Sequence, residues 1–72
     1  MLHSAQMEDL MVLVASLDRA SLIDQFHNYR GRFDVDFTDD FLARTPLDKL
    51  RHIFIAMCMQ NERLPDLMPH AA

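Results

Sequence analysis

The first stretch of the chain has the apolar spacing of an amphipathic helix. Its apolar residues recur three and four positions apart, which places them on one helical face: Met7, Leu10, Met11, Val14 and Leu17. The carboxylates of Glu8 and Asp9 suit the positive amino end of a helix dipole. This pattern predicts a helix from about Ala5 to Leu17.

A second apolar stripe predicts another helix over residues 19–30, and it consists of Leu22, Phe26 and Tyr29. Ser21 and Asp24 have capping-box spacing, which would start this helix at Leu22 instead. A single helix over residues 5–29 is a further alternative. It would put Asp18 in the middle of the apolar stripe, so a break near residues 17–20 is favoured.

Gly31 is the only glycine of the chain and follows the second helix, where a left-handed C′ residue is expected. Residues 33–37, Phe-Asp-Val-Asp-Phe, then alternate between apolar and acidic, as an extended segment does. No second strand is predicted to pair with this segment. We therefore expect an extended strap that lays Phe33, Val35 and Phe37 across the helices.

Two further helices are predicted in the second half of the chain. Thr38 is a good N-cap for a short helix that ends at Arg44. Thr45, Pro46 and Asp48 stand at the N-cap, N1 and N3 positions of the last helix, and Asp48 could reach back to the cap amide. This helix is predicted from Pro46 to about Arg63, followed by an irregular tail over residues 65–72.

These elements predict one all-α domain spanning residues 1–72, a small bundle of three to four helices with one extended aromatic strap at residues 33–37. Seventy-two residues lie near the lower limit for a domain that folds unaided. Half of the residues are hydrophobic, which is ample for a core.

The apolar residues exceed what one face of each helix can hold. The main stripe of the last helix consists of Leu47, Leu50, Phe54, Met57, Cys58 and Asn61. Ile55 and Met59 lie nearly opposite this stripe, and Val12 and Leu13 lie off the main face of the first helix. Exposed apolar patches usually mark interaction sites. The predicted interaction surface is Val12, Leu13, Ile55, Ala56 and Met59. The alternative is that the strap and the first helix cover this surface within one chain.

Charge and cysteine content narrow the class of protein. The net charge is −4, and the bases are spread along the chain, a distribution that disfavours binding to nucleic acid. Cys58 is the single cysteine, so no disulfide forms within the chain. The amino terminus lacks signal-peptide character and no apolar run is long enough to cross a bilayer, so we expect a cytoplasmic protein.

No residue set has the spacing of a catalytic, cofactor or metal site. The acids of residues 34–40 lack the glycine and the glutamate that an EF-hand loop needs. His27, His52 and Cys58 have no metal-ligand spacing, and Cys58 lies in an apolar stretch that suits a buried thiol. We expect no enzyme activity, no cofactor, no metal and no small-molecule ligand.

The sequence favours a non-catalytic protein–protein interaction module whose partner is another protein chain, most simply a second copy in a homodimer. Such a module would be an adaptor, a regulator or an accessory subunit. A first alternative is a dimeric helix-turn-helix regulator of DNA, in which the last helix presents Asp48, Lys49, Arg51 and His52. A second alternative is an assembly subunit of a larger enzyme complex.

Overall fold

The computed structural model describes residues 2–29 and 37–65, and these form four α-helices. The helices are α1 (Ser4–Ser16), α2 (Arg19–Asn28), α3 (Asp39–Arg44) and α4 (Leu47–Asn61). The described residues contain no strand. The predicted all-α architecture of a few short helices is confirmed.

Two non-helical residues, Leu17 and Asp18, separate α1 from α2. Leu17 has extended backbone angles, and the carboxylate of Asp18 accepts a hydrogen bond from the Ser21 amide at 2.8 Å. That bond favours the ionised carboxylate and lowers the pKa of Asp18. The continuous helix is therefore wrong, and so is the later start at Leu22, because Asp18 caps α2 rather than Ser21.

The helix α2 ends two residues earlier than predicted. Asn28 is its last residue, and Tyr29 turns to extended backbone angles. Gly31, which was expected at the C′ position, and residues 33–36 of the expected strap lie outside the described residues. Phe37, the last strap residue, packs edge-on against Phe26 with ring centroids 5.3 Å apart.

The N-cap predicted for the short helix α3 is confirmed. The Thr38 hydroxyl accepts a hydrogen bond from the Phe41 amide at 3.1 Å. The carboxylates of Asp39 and Asp40 occupy the first turn, next to the positive end of the helix dipole. The helix thus begins where the sequence placed it.

Replacement of Thr38 by Ala is expected to lower the free energy of unfolding by about 1 kcal/mol, because one amide of α3 loses its cap. Chemical denaturation followed by circular dichroism measures this change. Thr38→Ser keeps the hydroxyl and is expected to retain most of the stability. Equal losses in the two variants would contradict a capping role.

The N-cap predicted for α4 is wrong. The Thr45 hydroxyl is buried and donates to the Phe41 carbonyl at 2.6 Å, and the Thr45 amide donates to the same carbonyl at 3.0 Å. Thr45 therefore closes the carboxyl end of α3, and its amide is not open to Asp48. Pro46 occupies the N-cap position, and α4 starts at Leu47.

The helix α4 ends at Asn61, two residues before the predicted end. Glu62 adopts a left-handed backbone with φ of 53°, and its amide donates to the Met59 carbonyl at 3.1 Å. The Arg63 amide donates to the Cys58 carbonyl at 3.0 Å. These bonds satisfy carbonyls that the last helical turn leaves open.

The core lies where α1 and α2 pack against α4, with α3 closing one side. Phe54 is fully buried at its centre, with its ring 5.1 Å from that of Phe26 and 5.8 Å from that of Tyr29. The buried apolar residues of the core are Leu10, Val14, Leu22, Phe26, Tyr29, Leu42, Leu50, Phe54, Met57 and Cys58.

The helices α1 and α4 run antiparallel. Arg51, in the first half of α4, donates to the carbonyl of Leu17 after the end of α1, at 2.9 Å. Met59, near the end of α4, shares a surface groove with Met7, near the start of α1. The start of α1 therefore lies beside the end of α4, and the end of α1 lies beside the start of α4.

Candidate functional site

Four large apolar side chains are exposed among the described residues. Val12 is 71% exposed, Met11 55%, Met59 52% and Phe41 38%. Three of the four lie on α1 or α4. The exposed apolar surface of the described chain is therefore concentrated on these two helices.

An open groove of about 330 Å³ lies between the start of α1 and the end of α4. Among the described residues it is lined by Leu2, Met7, Met59 and Glu62. Its lining is mostly apolar, with one carboxylate at its edge. Thioether side chains are flexible and adapt to partners of irregular shape.

The faces of α1 and α4 that line the groove each carry a further apolar side chain one helical turn inward. Met11 and Ile55 each stand four residues inward from Met7 and Met59, which is a rotation of only about 40° around each helix axis. Because α1 and α4 run antiparallel, Met11 and Ile55 lie at about the same height along the two helix axes. We call Leu2, Met7, Met11, Ile55 and Met59 the α1/α4 seam.

The structure places the five predicted surface residues in different surroundings. Val12, Ala56 and Met59 are exposed, whereas Leu13 and Ile55 are half-buried and pack against the core. On α1, Val12 and Leu13 lie about 140° and 120° around the axis from Met7. The seam thus contains Ile55 and Met59 of the predicted set, while Val12 and Leu13 lie on other sides of α1.

The sequence pattern did not single out Leu2, Met7 and Met11 as surface residues. Met7 and Met11 belong to the apolar stripe of α1 that was assigned to the core. They lie about 60° and 100° from the fully buried Leu10, on the flank of that stripe. Periodicity finds the stripe, but the packing of α4 decides which flank remains open.

Two acidic residues lie close to the seam, Glu8 on α1 and Glu62 in the lining of the groove. The helix α1 carries Glu8 and Asp9 and no Lys or Arg. Glu62 directly follows the last residue of α4. Glu8 follows Met7 and precedes Met11 by one turn, at the outer edge of the seam. Arg63 follows Glu62 and is exposed, and its backbone carbonyl accepts a hydrogen bond from the Tyr29 hydroxyl.

The comparisons with known proteins leave the surface to be interpreted from its own geometry. No protein-family model, curated protein or solved structure matches this chain.

Cys58 is the free thiol of the chain and is fully buried. Burial raises the pKa of Cys58 to about 11, so the thiol stays protonated at neutral pH. Burial likewise raises the pKa of Tyr29, whose hydroxyl donates to the Arg63 carbonyl at 2.6 Å. The hydrogen bond between Tyr29 and Arg63 joins the ends of α2 and α4 at the edge of the core.

Another candidate ligand, His27, has a structural partner. His27 and Asp39 lie 2.9 Å apart and join the end of α2 to the start of α3. Within residues 2–29 and 37–65, no three His, Cys, Asp or Glu side chains come together as a metal site would need. None of the helices in the described parts has the length and apolarity needed to span a membrane.

The side chains expected of a DNA-recognition helix are not all directed outwards. One Nη of Arg51 donates to the Leu17 carbonyl, and the other lies 3.6 Å from the Asp48 carboxylate. The Arg51 side chain is 26% exposed and serves the contact between α1 and α4. Only Lys49 and His52 of the basic residues named for this role remain exposed on α4.

Proposed function

We propose that this chain is a non-catalytic protein–protein interaction module whose contact surface is centred on the α1/α4 seam. The observation that carries this proposal is the half-exposed Met59 beside Met7, with Met11 one turn along. Burying a side chain of this size contributes roughly 1.5–3 kcal/mol, so covering the seam would strengthen an association. Such apolar clusters usually mark interaction sites.

The partner that we propose for the isolated protein is a second copy of the chain. Most soluble oligomers are symmetric homo-oligomers, and in a twofold dimer each copy offers the same patch to the other. A domain near the lower size limit also gains the most from covering apolar surface by association. The buried, free Cys58 is compatible with the reducing cytoplasm that we propose as its location.

Replacement of Met59 by Glu is expected to return the dimer to monomer without unfolding the chain. A carboxylate at this half-exposed position faces water in the monomer but would be desolvated in an interface. Sedimentation velocity over a range of protein concentrations measures the association, and thermal unfolding checks the fold. We expect at least a tenfold increase in the dimer dissociation constant, since each 1.4 kcal/mol is tenfold.

The matched control is Ala20→Glu, which adds the same charge at an exposed position of α2. It is expected to leave self-association unchanged. A wild-type protein that stays monomeric at high concentration, or equal weakening by Ala20→Glu and Met59→Glu, would remove the support for this surface as a dimer interface.

A further inference from the structure

Three of the five side chains of the α1/α4 seam are thioethers, those of Met7, Met11 and Met59. Met11 is 55% exposed and Met59 52%, and Met7 is half-buried in the lining of the groove. A thioether packs as an apolar group, but an oxidant converts its sulfur to a polar sulfoxide. The apolar character of the seam therefore depends largely on groups that can be oxidised.

The two other sulfur atoms of α4 are shielded from such an oxidant. Met57 is only 7% exposed, and Cys58 is fully buried. Burial raises the pKa of Cys58 to about 11, so the reactive thiolate is scarce at neutral pH. Because Cys58 is the single cysteine, no disulfide within the chain can respond to an oxidant. Among the described residues, a dissolved oxidant therefore reaches the sulfur atoms of Met11 and Met59 first.

We propose, on the basis of the proposed function, that Met11 and Met59 are sites of reversible oxidation by peroxide, and that their oxidation releases the second copy of the chain from the seam. In the reaction, the thioether sulfur bonds to one oxygen of hydrogen peroxide while the O–O bond breaks. The sulfur loses two electrons to the peroxide. The departing hydroxide takes the proton of the transferred oxygen and leaves as water, and the product is methionine sulfoxide.

The exposure of the two side chains explains why oxidation acts on the association and not on the fold. In the monomer, the sulfoxide oxygens of Met11 and Met59 face water, so the core is unchanged. In the dimer, the second copy removes that water, and a polar group that is desolvated without a hydrogen bond opposes burial. Association in turn covers the sulfur atoms, so the dimer is oxidised more slowly than the monomer.

The first experiment measures which sulfur atoms react. The full chain is treated with hydrogen peroxide at neutral pH, and mass spectrometry of its peptides follows the gain of one oxygen at each methionine. Met11 and Met59 are expected to react roughly tenfold faster than Met57, because the peroxide must reach the sulfur. The oxidation of Met59 is expected to slow as the protein concentration rises and the dimer forms.

The second experiment measures the association of untreated, oxidised and repaired protein by sedimentation velocity. Oxidation is expected to raise the dimer dissociation constant about tenfold or more. The two methionine sulfoxide reductases, one for each epimer of the sulfoxide, are expected to restore the original value with dithiothreitol as the reductant. Circular dichroism of the same samples is expected to show that the oxidised chain stays folded.

A variant with Met7→Leu, Met11→Leu and Met59→Leu keeps an apolar seam but has no sulfur in it. It is expected to associate as the wild-type chain does and to keep this association after peroxide treatment. The variant retains the other three methionines of the chain, so an effect of peroxide through those residues would persist in it. The matched control is Met57→Leu, two residues from Met59 on α4, which is expected to stay as sensitive to peroxide as the wild-type chain.

Four results would overturn the regulation by oxidation and leave the proposed function intact. They are equal oxidation rates at Met57 and Met59, unchanged association of the oxidised wild-type chain, unfolding of that chain, and weakened association of the oxidised triple-leucine variant. An untreated wild-type chain that stays monomeric at high concentration would instead remove the proposed function, and the regulation with it. Sedimentation of the untreated protein therefore separates the two failures before any peroxide is added.

Discussion

The Phe54→Ala protein is expected to be largely unfolded at room temperature. Phe54 is fully buried and contacts the rings of Phe26 and Tyr29, so its truncation removes the side chain that α2 and α4 share. Truncation of a buried Phe to Ala costs about 3–5 kcal/mol. A small domain has a total stability of about 5 kcal/mol, so little would remain. Far-UV circular dichroism and chemical denaturation measure the loss.

Phe41→Ala is the matched control, because it removes the same atoms from a ring that is already 38% exposed. Phe41 stacks on Phe37 at a centroid distance of 5.6 Å at the edge of the core. We expect a loss of about 1 kcal/mol for this edge contact. If Phe54→Ala unfolded at the same denaturant concentration as Phe41→Ala, the core described for this fold would be wrong.

The central role of α4 was predictable because its main stripe follows the helical period without interruption. Leu50, Phe54, Met57 and Cys58 all belong to the predicted stripe, and all four are buried. The same holds for Leu10 and Val14 on α1. Periodicity reports which side of a helix faces the core, and that depends on few details of the rest of the fold.

Helix ends were harder to predict where two local interactions compete. The pattern Thr45-Pro46-Leu47-Asp48 has the residues of an N-cap, but Thr45 also stands four residues after Phe41 at the end of α3. Burial of the hydroxyl beside that open carbonyl decides in favour of α3. At Thr38 no earlier helix competes, and the predicted cap is present.

The open flank of the seam depends on how the helices pack. Met7 and Met59 are far apart in the sequence, and only the antiparallel contact of α1 with α4 brings them to one groove. Val12 and Leu13 appeared equally suitable from their apolar character. A helical wheel gives the angles within one helix, but it does not give the angle at which the next helix meets it.

The long-range hydrogen bonds of Arg19, which is half-buried, also lay beyond the sequence pattern. Its Nη1 donates to the Leu42 carbonyl at 2.9 Å and to the Thr45 carbonyl at 2.6 Å. Arg19 begins α2, so these bonds fasten the turn between α1 and α2 to the end of α3. Open carbonyls at a helix end need such partners.

The Arg19→Met protein is expected to lose about 2–3 kcal/mol of unfolding free energy. Methionine preserves much of the apolar stem but leaves two carbonyls without their charged donor. A hydrogen bond to a charged group contributes about 1.5–3 kcal/mol, and water replaces part of that contribution at these partly buried carbonyls. Chemical denaturation followed by circular dichroism gives the change. Arg19→Lys is expected to recover part of the loss, because an ammonium is charged but lacks the planar donor fork of arginine.

Arg44→Met is the control that separates this brace from a general loss of charge. The Arg44 side chain is 80% exposed and pairs with Asp40 at 3.0 Å within α3. Exposed pairs of this kind contribute about 0.2–1 kcal/mol and weaken with salt. The cost of Arg19→Met is expected to exceed that of Arg44→Met and to persist at high salt, since its carbonyl acceptors are partly buried. Equal costs at high salt would show that Arg19 does not hold the two turns together.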